Sequence, residues 1–253
     1  MPMTNTERFT RKGKKLTEKE DRHFLGNETG AWGIHQSDLT HYMKDLWRLE
    51  RYPDEIKQTV LGLQNPVVVD LMSSTRMLLD LFTSQPFQKD GKFIAVSHYD
   101  TRDTSEKFLD DVYGISLVTG NIRKPETWSN LRNELNGLEA DIVVSRALAG
   151  LHFLPIKGTL GYKLINNAYG ILKDYGSMYL QIPPASALVE LGVPMDTWLA
   201  EVESSHLPYI YVPEYESPTD RNRSYGLLRI DRIPGVSDLP GFNSGISLLN
   251  QAA

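Results

Sequence analysis

Pro66-Val67-Val68-Val69-Asp70-Leu71-Met72-Ser73-Ser74-Thr75-Arg76 is the stretch that decides the fold. A proline followed by three valines reads as a strand buried on both faces, the kind a parallel sheet contains. β-branched side chains pack well on a pleat, and no polar residue alternates with them here. Asp70 follows the valine run, and the serines after it mark the passage from strand to turn. In open α/β sheets that passage is where ligands gather. Residues 75–82 then carry Met77, Leu78, Leu81 and Phe82, which suits a helix packed on a sheet.

Downstream the same alternation repeats. Lys92-Phe93-Ile94-Ala95-Val96 reads as a second strand, Ile115–Thr119 as a third and Ala140–Val144 as a fourth. Ser105 is placed to cap a short helix containing Phe108, Leu109 and Val112. Trp128, Leu131, Leu135 and Leu138 mark another helix by their spacing. Leu160, Leu164, Ala168 and Leu172 support a helix over 159–173, with a turn at Asp174-Tyr175-Gly176. Ser177–Ile182 is the fifth strand, ended by Pro183-Pro184. Residues 185–203 read as helical pieces broken by Gly192 and Pro194, and 207–213 and 224–231 as two strands forming an antiparallel pair at the sheet edge. Strands alternating with helices imply a parallel sheet with helices on both faces.

Upstream, Leu39, Tyr42, Met43, Leu46 and Leu49 are spaced as one helical face, with Ser37 or Asp38 to cap it and Pro53 to stop it. Residues 1–22 hold a basic cluster (Arg11, Lys12, Lys14, Lys15) followed at once by Glu18, Glu20 and Asp21, the pattern of a solvated tail. The division is therefore 1–22 as a flexible tail, 23–63 as an N-terminal loop and helical cap, 64–231 as the α/β domain, and 232–253 as a C-terminal tail. In that last segment Ile246, Leu248 and Leu249 are the candidate anchors.

The totals agree with one substantial domain. The chain has 253 residues, 40% hydrophobic and 23% charged, with a net charge of -5. Such a balance argues against a strongly nucleic-acid-seeking surface. Cysteine is absent, so disulfides, thiolate catalysis and cysteine-built zinc sites are excluded by inventory. No stretch approaches the roughly 20 apolar residues needed to cross a bilayer, and the first residues do not form a secretory signal. A cytoplasmic protein with no membrane partner is the expectation.

Five β/α units followed by a hairpin resemble the class I S-adenosylmethionine-dependent methyltransferases over roughly residues 64–231. The resemblance implies a Rossmann-like, doubly wound, mostly parallel sheet of seven strands with an antiparallel edge strand. It also implies that S-adenosyl-L-methionine lies across the carboxyl ends of the first strands. In that family the first strand ends in an acid and a glycine-rich turn. Asp70 matches the acid, while Met72, Ser74 and Arg76 stand where glycines usually do. Glycine permits positive φ and close backbone approach, so this departure changes how the turn can work. Ser73 and Ser74 still offer hydroxyls, and a helix N-terminus there suits a carboxylate.

The family's second motif is an acid at the end of strand two, which accepts two hydrogen bonds from the ribose diol. Here that position is near Ser97, and Asp100 comes three residues late, after His98. The third motif is represented by Gly120-Asn121-Ile122. The resemblance gives Asn121 the adenine amino group and Ile122 the adenine face, since an amide can both accept and donate. The fourth region, Ala140–Ala147, adds Ser145. The site implied by the resemblance thus comprises Asp70, Met72, Ser73, Ser74, Asp100, Asn121, Ile122 and Ser145.

Methyl transfer from a sulfonium is an in-line displacement that needs positioning more than a fixed catalytic set. Ser145-Arg146-Ala147-Leu148 lacks the acid or amide, two prolines and aromatic found after strand four in adenine-modifying relatives. Nucleic acid is therefore disfavoured, and a small molecule or a protein is the expected acceptor. His152, beyond strand four, is a candidate acceptor-side base. Trp32 and His35 are candidates to lid the pocket. His35 and His41 are not spaced as helical metal partners, and no metal site is expected. No phosphate-binding loop of the Walker type is present. The alternative reading is a methyltransferase-like chain that has lost donor binding and serves as a binding or scaffold protein.

Overall fold

The computed structural model describes residues 53–71, 75, 78–79, 90–97, 99–100, 102–122, 124–145, 160–182, 184–190, 195–216 and 224–241. The expectations for 1–52, for the side chains of Met72, Ser73, Ser74, Arg76, Met77, Leu81 and Phe82, and for His98, His152 and the C-terminal anchors lie outside those residues.

The strands are β1 (Val67–Leu71), β2 (Lys92–Ser97), β3 (Ile115–Thr119), β4 (Ala140–Ser145), β5 (Leu172–Ile182), β6 (Tyr209–Glu216) and β7 (Ser224–Asp231). They form one seven-stranded sheet in the order β3-β2-β1-β4-β5-β7-β6. The first five are mutually parallel, and β7 runs antiparallel to both β5 and β6. The described helices are α1 (Pro53–Gly62), α2 (Thr104–Tyr113), α3 (Pro125–Leu135), α4 (Leu160–Tyr169), α5 (Ala185–Glu190) and α6 (Met195–Ser204).

Pairing of the β-branched run explains the centre of the sheet. β1 is hydrogen-bonded on both sides, by β2 and β4, and its five residues are all buried. A strand in that position meets apolar layers above and below, which is why it carries no alternation. Val67, Val69 and Leu71 belong to one core with Trp128, Leu131 and Leu135 of α3, Leu164 and Ala168 of α4, and Trp198 and Val202 of α6. Val68 belongs to the other, with Val60 of α1, Leu78, Leu79, Phe93 and Ile142.

Four expectations are corrected. Pro53, read as a stop, opens α1, because the missing N–H is harmless in a first turn. Asp103 caps α2 in place of Ser105. Its side chain accepts from the Glu106 amide at 2.8 Å while the Glu106 carboxylate accepts from the Asp103 amide at 2.8 Å, a reciprocal capping box. Leu138 lies beyond α3, which ends at the left-handed Asn136. Leu172 opens β5 where a helix was expected, because its pairing with Ala140 outweighs the helical spacing.

The turn at Asp174-Tyr175-Gly176 is a bulge within β5. Ala140 pairs with Leu172, but Ile142 pairs with Ser177, so β5 spends extra residues there. Tyr175 takes φ 67, and a Cβ on Gly176 would sit 2.8 Å from the Ala140 carbonyl oxygen. Glycine is required at that close approach. The described part of the C-terminal segment is docked. The Leu239 carbonyl accepts from the Tyr162 hydroxyl at 2.7 Å, the Leu239 amide donates to Asn166 at 2.8 Å, and the Leu239 side chain is buried.

Candidate functional site

Strand order brings the expected residues to one edge. The order reverses beside β1: β2 and β3 lie on one side and β4 on the other. Such a reversal splays the connections apart and leaves a crevice at the carboxyl ends. Along that edge the registers place Thr119 opposite Ser97, Val96 opposite Leu71, and Leu71 opposite Ser145. Asp70, Ser97, Asn121, Ile122 and Ser145 are therefore at the same end of four adjacent strands.

Each is held differently. Asp70 is 1% exposed and lies within β1, level with Ala95 and Val144. Ser145 is buried at the last position of β4. The Ser97 carbonyl accepts from the Gly120 amide at 2.8 Å, tying the end of β2 to the turn after β3. A Cβ on Gly120 would collide with the Thr127 side chain, so this turn does keep the glycine it needs. The Asn121 carbonyl accepts from the Thr127 hydroxyl at 2.7 Å and the Lys124 amide at 2.8 Å. The Ile122 carbonyl accepts from the Trp128 indole at 2.7 Å, and the Ile122 side chain packs against the larger core. The first turn of α3 thus fixes the backbone that carries Asn121 and Ile122.

Asp100 is committed elsewhere. Its Oδ1 accepts from Arg102 Nε at 2.9 Å and from the Arg102 amide at 3.1 Å, its Oδ2 accepts from Arg102 Nη2 at 3.1 Å, and Lys107 Nζ is 3.3 Å away. The Arg102 hydrogen bonds hold its carboxyl far below the ordinary aspartate value, against the smaller opposing effect of burial. Arg102 does not stop there. Its Nη1 donates to Asp110 Oδ2 at 2.9 Å, and Asp110 is 0% exposed. Burial raises the Asp110 carboxyl, while Arg102 favours the charged form; Asp110 Oδ1 and the Thr75 hydroxyl are both buried without a hydrogen-bond partner among the described residues. Thr75 is likewise 0% exposed, and its carbonyl accepts from the Leu79 amide at 3.0 Å.

This bracket of Asp100, Arg102 and Asp110 was not legible in the sequence. The apolar spacing of Phe108, Leu109 and Val112 drew attention to the wrong face of α2. Those three residues are exposed, Phe108 at 66%, and Glu106 and Asp110 point inward. The one available signal was Asp103 three residues before Glu106, the signature of a capping box.

Among the described residues no group of acidic and histidine side chains could hold a metal ion, and no helix is long and apolar enough to cross a membrane.

No protein-family model and no curated protein matches the chain. Solved structures do resemble it. CurJ carbon methyltransferase is 11% identical, with a TM-score of 0.50 over 90% of this chain and 66% of that one. An O-methyltransferase family protein from Burkholderia thailandensis is 14% identical, with a TM-score of 0.45 over 92% of this chain and 69% of that one. The plantazolicin methyltransferase BpumL, solved in complex with SAH, is 8% identical, with a TM-score of 0.47 over 90% of this chain and 95% of that one. At such identities likeness speaks for fold alone. The chain has a Rossmann-like α/β fold, similar to that of a solved carbon methyltransferase.

Proposed function

We propose that this chain is an S-adenosylmethionine-dependent methyltransferase acting on a small molecule or a protein in the cytoplasm. The observation that carries the reading is the gathering of Asp70, Ser97 and Gly120-Asn121 at the carboxyl ends of three adjacent parallel strands. A nucleoside needs acceptors for its hydroxyls and amine and an apolar contact for its ring. Asp70 and Ser97 supply the former, and Asn121 with Ile122 supplies the amide and the apolar face. The resemblance assigns Met72, Ser73 and Ser74 to the donor loop, and Ser145 ends β4 opposite Leu71 of β1. Asp100 serves through Arg102, since both of its oxygens are engaged.

The donor supplies an electrophilic methyl on a sulfonium. With Asp70, Ser97, Asn121 and Ile122 holding its nucleoside, the bound donor would offer that methyl in line to the acceptor. The protein's part is to bind, orient and exclude water, which accounts for the lack of a fixed catalytic set among the described residues.

Calorimetric titration tests this. S-adenosylmethionine and its demethylated product, S-adenosylhomocysteine, are expected to give heat and to raise the melting temperature by linkage. Asn121→Ala is expected to weaken both by about tenfold, the loss of about one hydrogen bond to a polar ring. No heat and no thermal shift with either ligand would overturn the reading and leave the scaffold alternative in its place.

A further inference from the structure

We propose that the outer edge of β3 is a pairing surface for a second copy of this chain, the two β3 strands joining antiparallel about a two-fold axis through Leu117. The inference stands apart from the donor reading. It begins from a contrast between the two ends of the sheet. β3 and β6 are its terminal strands, each with a described partner on one side only. A terminal strand offers a row of unpaired amides and carbonyls, and proteins blunt such rows with proline, charge or a bulge. β6 is blunted: it carries Pro213, its register shifts between Val212 and Tyr215, and Glu214 and Glu216 lie in it. β3 is Ile115-Ser116-Leu117-Val118-Thr119, with no proline, no charge and an unbroken register against β2.

The backbone of β3 is self-complementary. The Gly120 amide donates to the Ser97 carbonyl, so it faces β2. Along a strand the hydrogen-bonding groups of successive residues alternate in direction. Ser116 and Val118 therefore also face β2, and Ile115, Leu117 and Thr119 turn their amides and carbonyls to the open side. In an antiparallel pair centred on Leu117, the two copies of that residue exchange both bonds. Ile115 does the same with Thr119 of the second copy. The strand holds no charge, so self-pairing sets no like charges opposite each other.

The helix over this edge agrees. α2 lies on β3 and turns Glu106 and Asp110 inward. A crossover between parallel neighbours is right-handed, and along a right-handed helix each residue follows the last by about 100°. Lys107 and Asp111, which follow Glu106 and Asp110, thereby take the flank above the open edge, and both are exposed. A two-fold axis through Leu117 sets the two α2 helices antiparallel. Lys107 of each copy then stands across from Asp111 of the other. Lys107 Nζ is 3.3 Å from Asp100, yet the side chain is still 52% exposed, which leaves room for a second carboxylate. Hydrogen bonding and charge thus fit the same operator, and that operator calls for an identical chain.

The test is sedimentation equilibrium of the full chain, with Thr119→Pro and Asp111→Lys. Thr119 is exposed at the end of β3, and a proline there removes only an amide that faces the open side. Lysine at the exposed position 111 sets like charges across the axis. The unmodified chain is expected to sediment at twice its chain mass. Each variant is expected to raise the dissociation constant at least about tenfold, through two lost hydrogen bonds or two opposed charge contacts. Mixing Asp111→Lys with Lys107→Glu is expected to restore pairing, because each chain then meets only opposite charge. A single-chain mass for the unmodified protein at every concentration up to about 100 μM would overturn the proposal and leave the edge to a different occupant. A dimer whose affinity a folded Thr119→Pro leaves unchanged would overturn it equally, since the copies would then meet elsewhere. If that variant does not fold, the same result in Asp111→Lys overturns it.

Discussion

Helices α2 and α3 flank the same strand, β3, and are nearly equal in length at 10 and 11 residues, yet they are built inside out relative to each other. α3 buries Trp128, Leu131 and Leu135 and turns its charges to water. α2 buries Glu106 and Asp110 and turns Phe108, Leu109 and Val112 to water. The difference lies in what each meets. α3 covers the larger apolar core, whereas α2 turns its buried Asp110 to Arg102. Apolar spacing thus identified both as helices but gave the inward face of only one. A helix hides the side its surroundings can satisfy, and near a polar site that side carries charge.

The largest expected effect breaks the α3 side. Trp128→Ala removes a buried ring and leaves the Ile122 carbonyl without its indole donor. Stability measured by urea unfolding is expected to fall by about 3–5 kcal/mol. A loss below about 1 kcal/mol, the centre of ordinary substitutions, would show that α3 is not the apolar anchor described.

An acid titration sharpens the α2 side. The Arg102 hydrogen bonds depress the folded-state Asp100 value well below the ordinary aspartate range. The unfolded chain then binds the proton more readily, so stability from this group is full above the ordinary value and is lost as the pH falls below it. Asp110 works in the opposite sense. Burial raises its folded-state value, so its contribution falls as pH rises through that value. Melting temperature followed from neutral pH downward is expected to drop more steeply in the unmodified chain than in Asp100→Asn. Parallel curves would mean that the Asp100–Arg102 pair does not persist in solution.

The smallest effect is the most pointed. Phe108→Ser, on the outward face of α2, is expected to change unfolding free energy by no more than about 0.5 kcal/mol. A loss of about 2 kcal/mol or more would reveal a buried Phe108 and erase the contrast between the helices.

Much of the sheet was readable from local pattern. Val67-Val68-Val69, Phe93-Ile94-Ala95-Val96 and Ile142-Val143-Val144 are continuous apolar runs because strands buried on both faces need them. Leu172 was misplaced because its helical spacing from Ala168 is real, and only pairing with Ala140 outweighs it. Of the expected site, Asp70, Asn121, Ile122 and Ser145 do meet at one edge. The ion pair of Asp100 with Arg102 two positions away was not legible, because it is invisible in an aspartate's identity.

By itself, then, the sequence determined the alternation of strands and helices and the buried centre at β1. Those are local properties, set by side-chain shape and period. The tertiary structure alone decided the inward face of α2, the bulge at Tyr175 and Gly176, and the Arg102 bracket that ties Asp110 to Asp100. Each of these depends on which distant group a residue meets. That meeting is fixed by long-range pairing and by the cost of burying a charge without a partner.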